Sequence, residues 1–177
     1  GPESKNGSNN GLLREGKSSI YEGGNRVPFA MQWTGEISQM VYDYPISSLD
    51  ILPTIAELTN ATIEENNPLD GVNIIPSLKG SKKGRPHTTL YVRKFDDDLY
   101  SVRVGDMKLV TKKKNTVKEL YNLDKDIGEE NNLADFFPKE VQRLDSILQT
   151  WDTQLIDPVF LGLIHTERWQ KRLNENP

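Results

Sequence analysis

The sequence predicts an α/β protein that ends in a small four-stranded antiparallel sheet packed by one helix. Three patterns carry that expectation. From residue 89 the apolar residues recur with a period of two in four short runs. The connections between those runs are too short for anything but antiparallel neighbours. Two stretches, 49–58 and 138–155, carry apolar residues at helical spacing.

Taken in order, residues 1–11 are Gly, Ser, Asn, Lys and Glu with one Pro, a loop by composition. Residues 12–28 form a glycine-punctuated, charged segment. Val27-Pro28-Phe29-Ala30-Met31-Gln32-Trp33 is a short apolar run bounded by Thr34-Gly35, and it reads as a buried strand starting after the Pro. Ser48 or Asp50 then caps a helix in which Leu49, Leu52, Ile55, Ala56 and Leu58 share a face, with Pro53 tolerated near its start. Residues 60–88 read as a long surface connection anchored by Leu69, Val72 and Leu78. The four strands are 90–93, 100–104, 107–111 and 119–122, separated by Asp96-Asp97-Asp98, Gly105-Asp106 and the turn around Lys112-Lys113-Lys114. Pro138 opens the last strong helix, whose stripe Val141, Leu144, Ile147, Leu148, Trp151 and Leu155 covers one face of the sheet. The tail from Val159 reads as a further short helix or an extended segment. These elements divide the chain into 1–85 and 86–177.

Composition excludes several classes of function. The 177 residues suffice for one domain or part of a larger one. Hydrophobic residues make up 35%, and adding the 13 glycines still leaves the apolar share below the usual ~45–50%, so the chain is rich in loops. No apolar run approaches the ~18 residues of a membrane span. Net charge is −4, from 22 basic and 26 acidic residues, which argues against a general nucleic-acid partner. The Lys112-Lys113-Lys114 run reads as a solvated hairpin tip in preference to a phosphate-tracking patch. The chain has no cysteine, so disulfides, thiolate metal sites and a cysteine nucleophile are absent from these residues. Asn6-Gly7-Ser8 and Asn60-Ala61-Thr62 fit the glycosylation sequon, a short pattern that also arises by chance.

The segment Leu13-Arg14-Glu15-Gly16-Lys17, with Tyr21-Glu22-Gly23-Gly24-Asn25-Arg26-Val27-Pro28, concentrates cations, acids and glycines. Such a segment suits a site that grips an anion. Glycine lets the backbone approach closely, and a lysine ammonium supplies a point charge with three donors. Lys17 fits that role on spacing alone. Arg14 and Arg26 can do the same, or can hold loops through carboxylates; Arg26 and Glu22 look like a structural ion pair. His87 and His165 lack partners at metal-ligand spacing and read as structural or exposed. Asp96-Asp97-Asp98 lacks the Gly and distal Glu of an EF-hand loop, and a hairpin turn accounts for it. Ser18 and Ser19 have no nearby histidine base. The residues alone give an anion-gripping loop on a folded core and no complete catalytic set.

Several stretches together add a family resemblance. Leu13-Arg14-x-Gly16-Lys17-x-x-x-Tyr21-Glu22-Gly23-Gly24-x-Arg26-Val27-Pro28 resembles the second signature of the type I, formylglycine-dependent sulfatases of the alkaline-phosphatase-like superfamily. Ser48-Leu49-Asp50-Ile51-Leu52-Pro53-Thr54, Asp70-Gly71-Val72 with Pro76-Ser77-Leu78-x-Gly80, Val102-Arg103-x-Gly105-Asp106-x-Lys108-Leu109-Val110, and Leu120-Tyr121-Asn122-Leu123-x-x-Asp126-x-x-Glu129-x-Asn131-Asn132-Leu133-Ala134 follow in family order. The resemblance implies the C-terminal portion of an alkaline-phosphatase-like sulfatase fold: residues 1–85 as the end of the large α/β domain, and 86–177 as the C-terminal sheet, helix and tail.

It also implies roles. Lys17 would be the sulfate-contacting lysine, with Arg14, Glu22, Gly23, Gly24 and Arg26 as its supporting shell. In that family a calcium ion and a formylglycine hydrate act together, the hydrate attacking sulfur. The resemblance places both in the full-length enzyme and neither on this chain alone, with no metal ligand among these residues. The formylglycine precursor motif, Cys- or Ser-x-Pro-x-Arg, does not occur here. It is expected upstream, with an Asp-Asn or Asp-His pair just before Gly1, and the isolated chain is expected to be inactive. Asn25 stands where the family often has a branched apolar residue. The implied substrate is a sulfated carbohydrate or an aryl sulfate, the implied partner is the N-terminal part of the same enzyme, and the family's usual compartments are periplasmic, secreted or lysosomal. The alternatives are a phosphodiesterase or phosphonate hydrolase of the same superfamily, and a non-catalytic binding module.

Overall fold

The structure is a computed structural model that describes residues 7–64, 66, 68–112, 116–156 and 158. Expectations for Asn6, Lys113, Lys114, His165 and most of the tail lie outside the described residues. The chain forms two compact units, Pro28–Thr88 and a second unit of Gly1–Val27 with Thr89–Pro177. These units cut across the linear boundary after residue 85, because residues 7–27 pack with the sheet.

The sheet unit matches the expected architecture. Strands β1 (Thr89–Lys94), β2 (Leu99–Val104), β3 (Met107–Lys112) and β4 (Val117–Asn122) form an antiparallel meander in sequence order. The turn between β2 and β3 uses Gly105 at φ +61°, the left-handed region that glycine enters without a Cβ penalty. The connection from β1 to β2 is a 3₁₀ turn over Phe95–Asp97 with Asp98 at φ +53°, so the three aspartates build a hairpin.

Register decides what each face of the sheet carries. Val102 pairs with Leu109 and Leu109 with Leu120, which puts all three on one face. There they bury against Leu144 and Leu148 of the helix Pro138–Asp152. Tyr91 stacks on Trp151 of that helix, with centroids 4.5 Å apart. The opposite face carries Ser101 and Val110, then Arg103, Lys108 and Tyr121 one pair along. Ile20 and Tyr21 from the N-terminal segment close over it and form a second core with Val110, Tyr121 and Leu123. The sheet is therefore covered on both faces, by a helix on one and by the charged segment on the other.

The loop after β4 is tied at several points. Asp126 accepts from the amides of Glu130 and Asn131, Asn132 Oδ1 accepts from Leu120 N–H at 2.9 Å, and Leu133 N–H donates to Leu120 O at 2.8 Å. This is what Asp126, Asn132 and Leu133 do in the stretch that carried the family resemblance.

In the Pro28–Thr88 unit, three expectations are corrected. Residues 28–33 form no strand, and Phe29 and Met31 are exposed. A strand's backbone groups must pair with a neighbour, and the described residues offer none. The residue that caps the turn before the helix is Ser47. It accepts from Leu49 N–H while Asp50 accepts from Ser47 N–H, and this capping box opens a 3₁₀ turn over Ser48–Asp50. The helix that follows, Ile51–Thr59, buries only Thr54 and Ala56, while Leu49, Leu52, Ile55 and Leu58 are exposed. The connection expected over 60–88 contains a short helix, Ile75–Leu78, with Ile74 and Ile75 buried.

Asp50 is the hub of this unit. It is buried and accepts from Ser47 and Val72 amides, and His87 Nε2 lies 2.8 Å from its Oδ1. His87 is therefore structural. Gly71 is required where it stands, because a Cβ there would collide with the Leu49 carbonyl.

Candidate anion site on the charged segment

Lys17 sits at the tip of a loop held on both sides. On its N-terminal side, Arg14 extends over the sheet. Its guanidinium donates to Tyr121 Oη at 2.9 Å and to the Glu129 carbonyl at 2.8 Å, and it lies 3.8 Å from the centre of the Tyr21 ring. Tyr21 Oη in turn donates to Glu119, whose other oxygen takes Lys112 Nζ at 2.8 Å. Burial raises Glu119, but its donors Lys112, Tyr21 and Tyr121 outweigh burial and hold its carboxyl below the usual range.

On the C-terminal side, Tyr21-Glu22-Gly23-Gly24 enters a one-turn helix, α1 (Glu22–Asn25). Glu22 is buried. Its N–H donates to Glu129 Oε2 at 2.6 Å, its Oε1 takes Lys108 Nζ at 2.9 Å, and its Oε2 takes Arg26 Nε at 2.6 Å. Lys108 Nζ also lies 2.8 Å from Glu129 Oε1. Lys108 is 2% exposed and Glu129 0%, so this is a buried charge cluster. One ammonium bridges two carboxylates, with the half-exposed Arg26 at the rim.

The two acids respond differently. Burial pushes Glu22 up, yet Lys108 and Arg26 outweigh it and its carboxyl lies below the usual range. For Glu129, burial prevails over Lys108 and the carboxyl lies above it. Taking charges from water costs several kcal/mol apiece unless partners satisfy them. Such a cluster persists because its members hold one another.

The glycines of the segment serve packing. A Cβ on Gly23 would collide with the carbonyls of Arg14 and Glu15, and one on Gly24 with those of Ser19 and Gly16. Gly23 N–H donates to Arg14 O at 2.9 Å, and Asn10 Nδ2 donates to Glu15 O and Gly23 O. Close approach of backbone to backbone, and not of backbone to an anion, is what excludes a side chain at these two positions.

Between the two anchors lie residues 15–19, of which Glu15, Lys17 and Ser18 are exposed. Glu15 (φ +57°) and Ser18 (φ +72°) both adopt the left-handed region without being glycine, and they flank Lys17. Each such residue costs on the order of 1 kcal/mol or more and persists only where its surroundings fix it. Glu15 Oε2 accepts from Ser19 Oγ at 2.5 Å, and Ser19 Oγ accepts from Tyr21 N–H at 3.1 Å. Lys17 is exposed and forms no hydrogen bond or ion pair among the described residues. Of the residues expected to carry the site, Arg14, Glu22, Gly23, Gly24 and Arg26 form one packed mount, and Lys17 projects from it as an uncommitted cation.

Sequence reasoning missed Lys108, Glu129, Tyr121 and Glu119 as partners of this segment. The usable signal was the alternation itself. Counting by two places Arg103, Lys108, Glu119 and Tyr121 on the face opposite the leucines. A charged sheet face calls for a charged cover, and the charged segment is the candidate.

The chain has no cysteine, and among the described residues no group of three His, Asp or Glu side chains is placed to hold a metal ion. Nor is any helix of the described residues long and apolar enough to cross a membrane. What this site can do chemically is present one exposed cation to an anion.

A family model described as N-sulphoglucosamine sulphohydrolase, C-terminal, matches residues 15–155. The chain belongs to this sulfatase C-terminal family. It is 29% identical over 176 residues to the uncharacterized sulfatase YdeN of Escherichia coli K12, covering 79% of this chain and 31% of that protein. It is 40% identical over 114 residues to bovine arylsulfatase A, covering 61% of this chain and 22% of that protein. Among solved structures, Ps i-CgsB in complex with k-i-k-neocarrahexaose superposes with a TM-score of 0.78 at 27% identity, over 98% of this chain and 39% of that one. The fold is thus that of the C-terminal part of an alkaline-phosphatase-like sulfatase. The chain spans about a third or less of the curated sulfatases just described.

Proposed function

We propose that the whole protein containing this chain hydrolyses sulfate esters, and that Lys17 contacts the sulfate group. Membership of the sulfatase family over residues 15–155, a stretch that includes Lys17, Glu22 and Glu129, carries the reading. The local physics supports the role. Cleaving a sulfate ester builds negative charge on the bridging oxygen, and a cation held in place beforehand stabilises that charge without reorganising. Lys17 is exposed, forms no ion pair among the described residues, and its segment is tied down at Arg14 and Glu22, as that task needs. A sulfated carbohydrate is the preferred substrate class, since the structurally similar Ps i-CgsB was crystallised with k-i-k-neocarrahexaose; an aryl sulfate is the second. In the whole enzyme, residues 1–85 are assigned to the end of the large α/β domain and 86–177 to the C-terminal domain. The nucleophile and the metal are assigned to the remainder of the protein.

The test is hydrolysis by the whole protein of three probes: 4-nitrophenyl sulfate, a sulfated oligosaccharide and bis(4-nitrophenyl) phosphate. Sulfate release from either of the first two, well above any cleavage of the third, is the expected result. Cleavage of the phosphodiester with both sulfate esters untouched would assign the protein to phosphoryl chemistry instead.

A further inference from the structure

We infer that Lys108 and Glu129, two residues of the sheet unit far in sequence from Lys17, are positioning residues that set where the Lys17 ammonium stands. The inference rests on the sulfate-contacting role proposed for Lys17. Two independent observations carry it. First, both ends of the loop that bears Lys17 converge on the same short stretch of chain. Arg14 donates to the Glu129 carbonyl, and Glu22 N–H donates to the Glu129 carboxylate. Lys108 fixes that carboxylate from below and binds Glu22 Oε1 as well. Second, the loop so held is strained on both sides of Lys17, at Glu15 and Ser18. A left-handed backbone at two non-glycine residues relaxes unless the ends are pinned, and relaxation moves the side chain between them. A misplacement of about 1 Å at a reacting centre can cost on the order of a hundredfold in rate, which is why a mount of this kind bears on chemistry.

Glu129 is itself prepared for the task. It sits at φ +53°, in a loop that Asp126 clamps through the amides of Glu130 and Asn131. Its side chain is turned wholly inward to Lys108 and Glu22. Neither Glu129 nor Lys108 touches the loop tip. Each acts through Glu22, and Glu129 also through Arg14, so neither is a catalytic residue.

The experiment is a double-mutant cycle in the whole protein, with 4-nitrophenyl sulfate as probe and thermal unfolding as a check on folding. Glu129→Ala is the first variant, because it leaves Lys108 paired one-to-one with Glu22. It is expected to lower kcat/KM at least tenfold in the wild-type background. In a Lys17→Ala background the same change is expected to cost less than twofold, because a residue acting through Lys17 has nothing left to position. An equal loss in both backgrounds, or no loss in either, overturns the inference.

If Glu129→Ala does not fold, Arg14→Lys replaces it. That change removes the planar fork shared by Tyr121 and Glu129 while keeping the charge, and the same pair of outcomes applies. A second readout separates this inference from the sulfatase reading. Amide hydrogen exchange at residues 15–24 is expected to speed up at least tenfold in the variant, while β3 stays protected. If the whole protein releases no sulfate but that local exchange response appears, the mount stands and the assigned chemistry falls. Unchanged exchange at 15–24 overturns the mount whatever the chemistry.

Discussion

Glu22 shows how much a single side chain contributes in this molecule. Its backbone N–H, both of its carboxylate oxygens and its place at the start of a one-turn helix are all committed to holding the Lys17 segment against the sheet. Its carboxyl is held below the usual range. A depressed carboxylate stabilises the fold at pH values above its unfolded pKa of about 4.3, and that contribution is lost as pH falls through the lower folded value. Glu129 has the opposite sign: raised in the fold, it favours folding below the unfolded pKa and loses that contribution as pH rises. Because Glu22 and Glu129 share Lys108, a comparison of wild type with Glu22→Gln reads Glu22 together with its effect on Glu129. Glu22→Gln is expected to cost about 1–3 kcal/mol near neutral pH, the range for removing a charged partner from a buried hydrogen bond. The gap should close as pH is lowered below about 4. Urea unfolding of both proteins across that range measures it. A gap that does not change with pH would mean that the Glu22 charge does not stabilise the fold.

At the scale of elements, the sheet and its helix behave as their sequence patterns foretell. Leu144 and Leu148 recur at helical spacing and both bury against Val102, Leu109 and Leu120. Leu144 is fully buried, so Leu144→Ala removes apolar contact and leaves a cavity, and is expected to destabilise the fold by about 2–5 kcal/mol. A thermal or urea unfolding curve reads this directly, and a loss below about 1 kcal/mol would place the helix outside the cooperative core. The four strands, the hairpin built by Asp96-Asp97-Asp98 and the helix opened by Pro138 were legible because each is set by local periodicity and turn chemistry. The run 27–33 misled because an apolar pattern alone does not make a strand. An apolar pattern states which side chains seek burial. Whether burial occurs depends on neighbours: Phe29 and Met31 stay exposed, while Trp33 is half-buried beside Lys79. Ser47, Ser48 and Asp50 stand together in the sequence, and by residue type all three can cap. Only the backbone geometry separates them.

At the scale of the whole molecule, the sequence held the identity of the site segment but not the reason for its shape. The charged segment and its lysine were legible from residue types alone. Gly23 and Gly24 were legible as glycines that had to be there, yet what they make room for is the carbonyls of Arg14, Glu15, Gly16 and Ser19. The cluster of Glu22, Lys108 and Glu129 was not legible by reading along the chain, because its members are brought together only by sheet register and by contacts spanning roughly a hundred residues. Lys17 is thus carried on a strained loop whose two ends are tied, through Arg14 and Glu22, to Glu129 and the buried charge cluster on the sheet. The role proposed for Lys17 is action on the sulfate group. The most direct test is steady-state sulfate release from 4-nitrophenyl sulfate by the whole protein and its Lys17→Ala variant. We expect kcat/KM to fall by on the order of a hundredfold or more with the unfolding midpoint unchanged, the scale seen when one donor to a developing oxyanion is removed. A Lys17→Ala variant that releases sulfate as fast as the wild type would show that Lys17 does not act on the sulfate group.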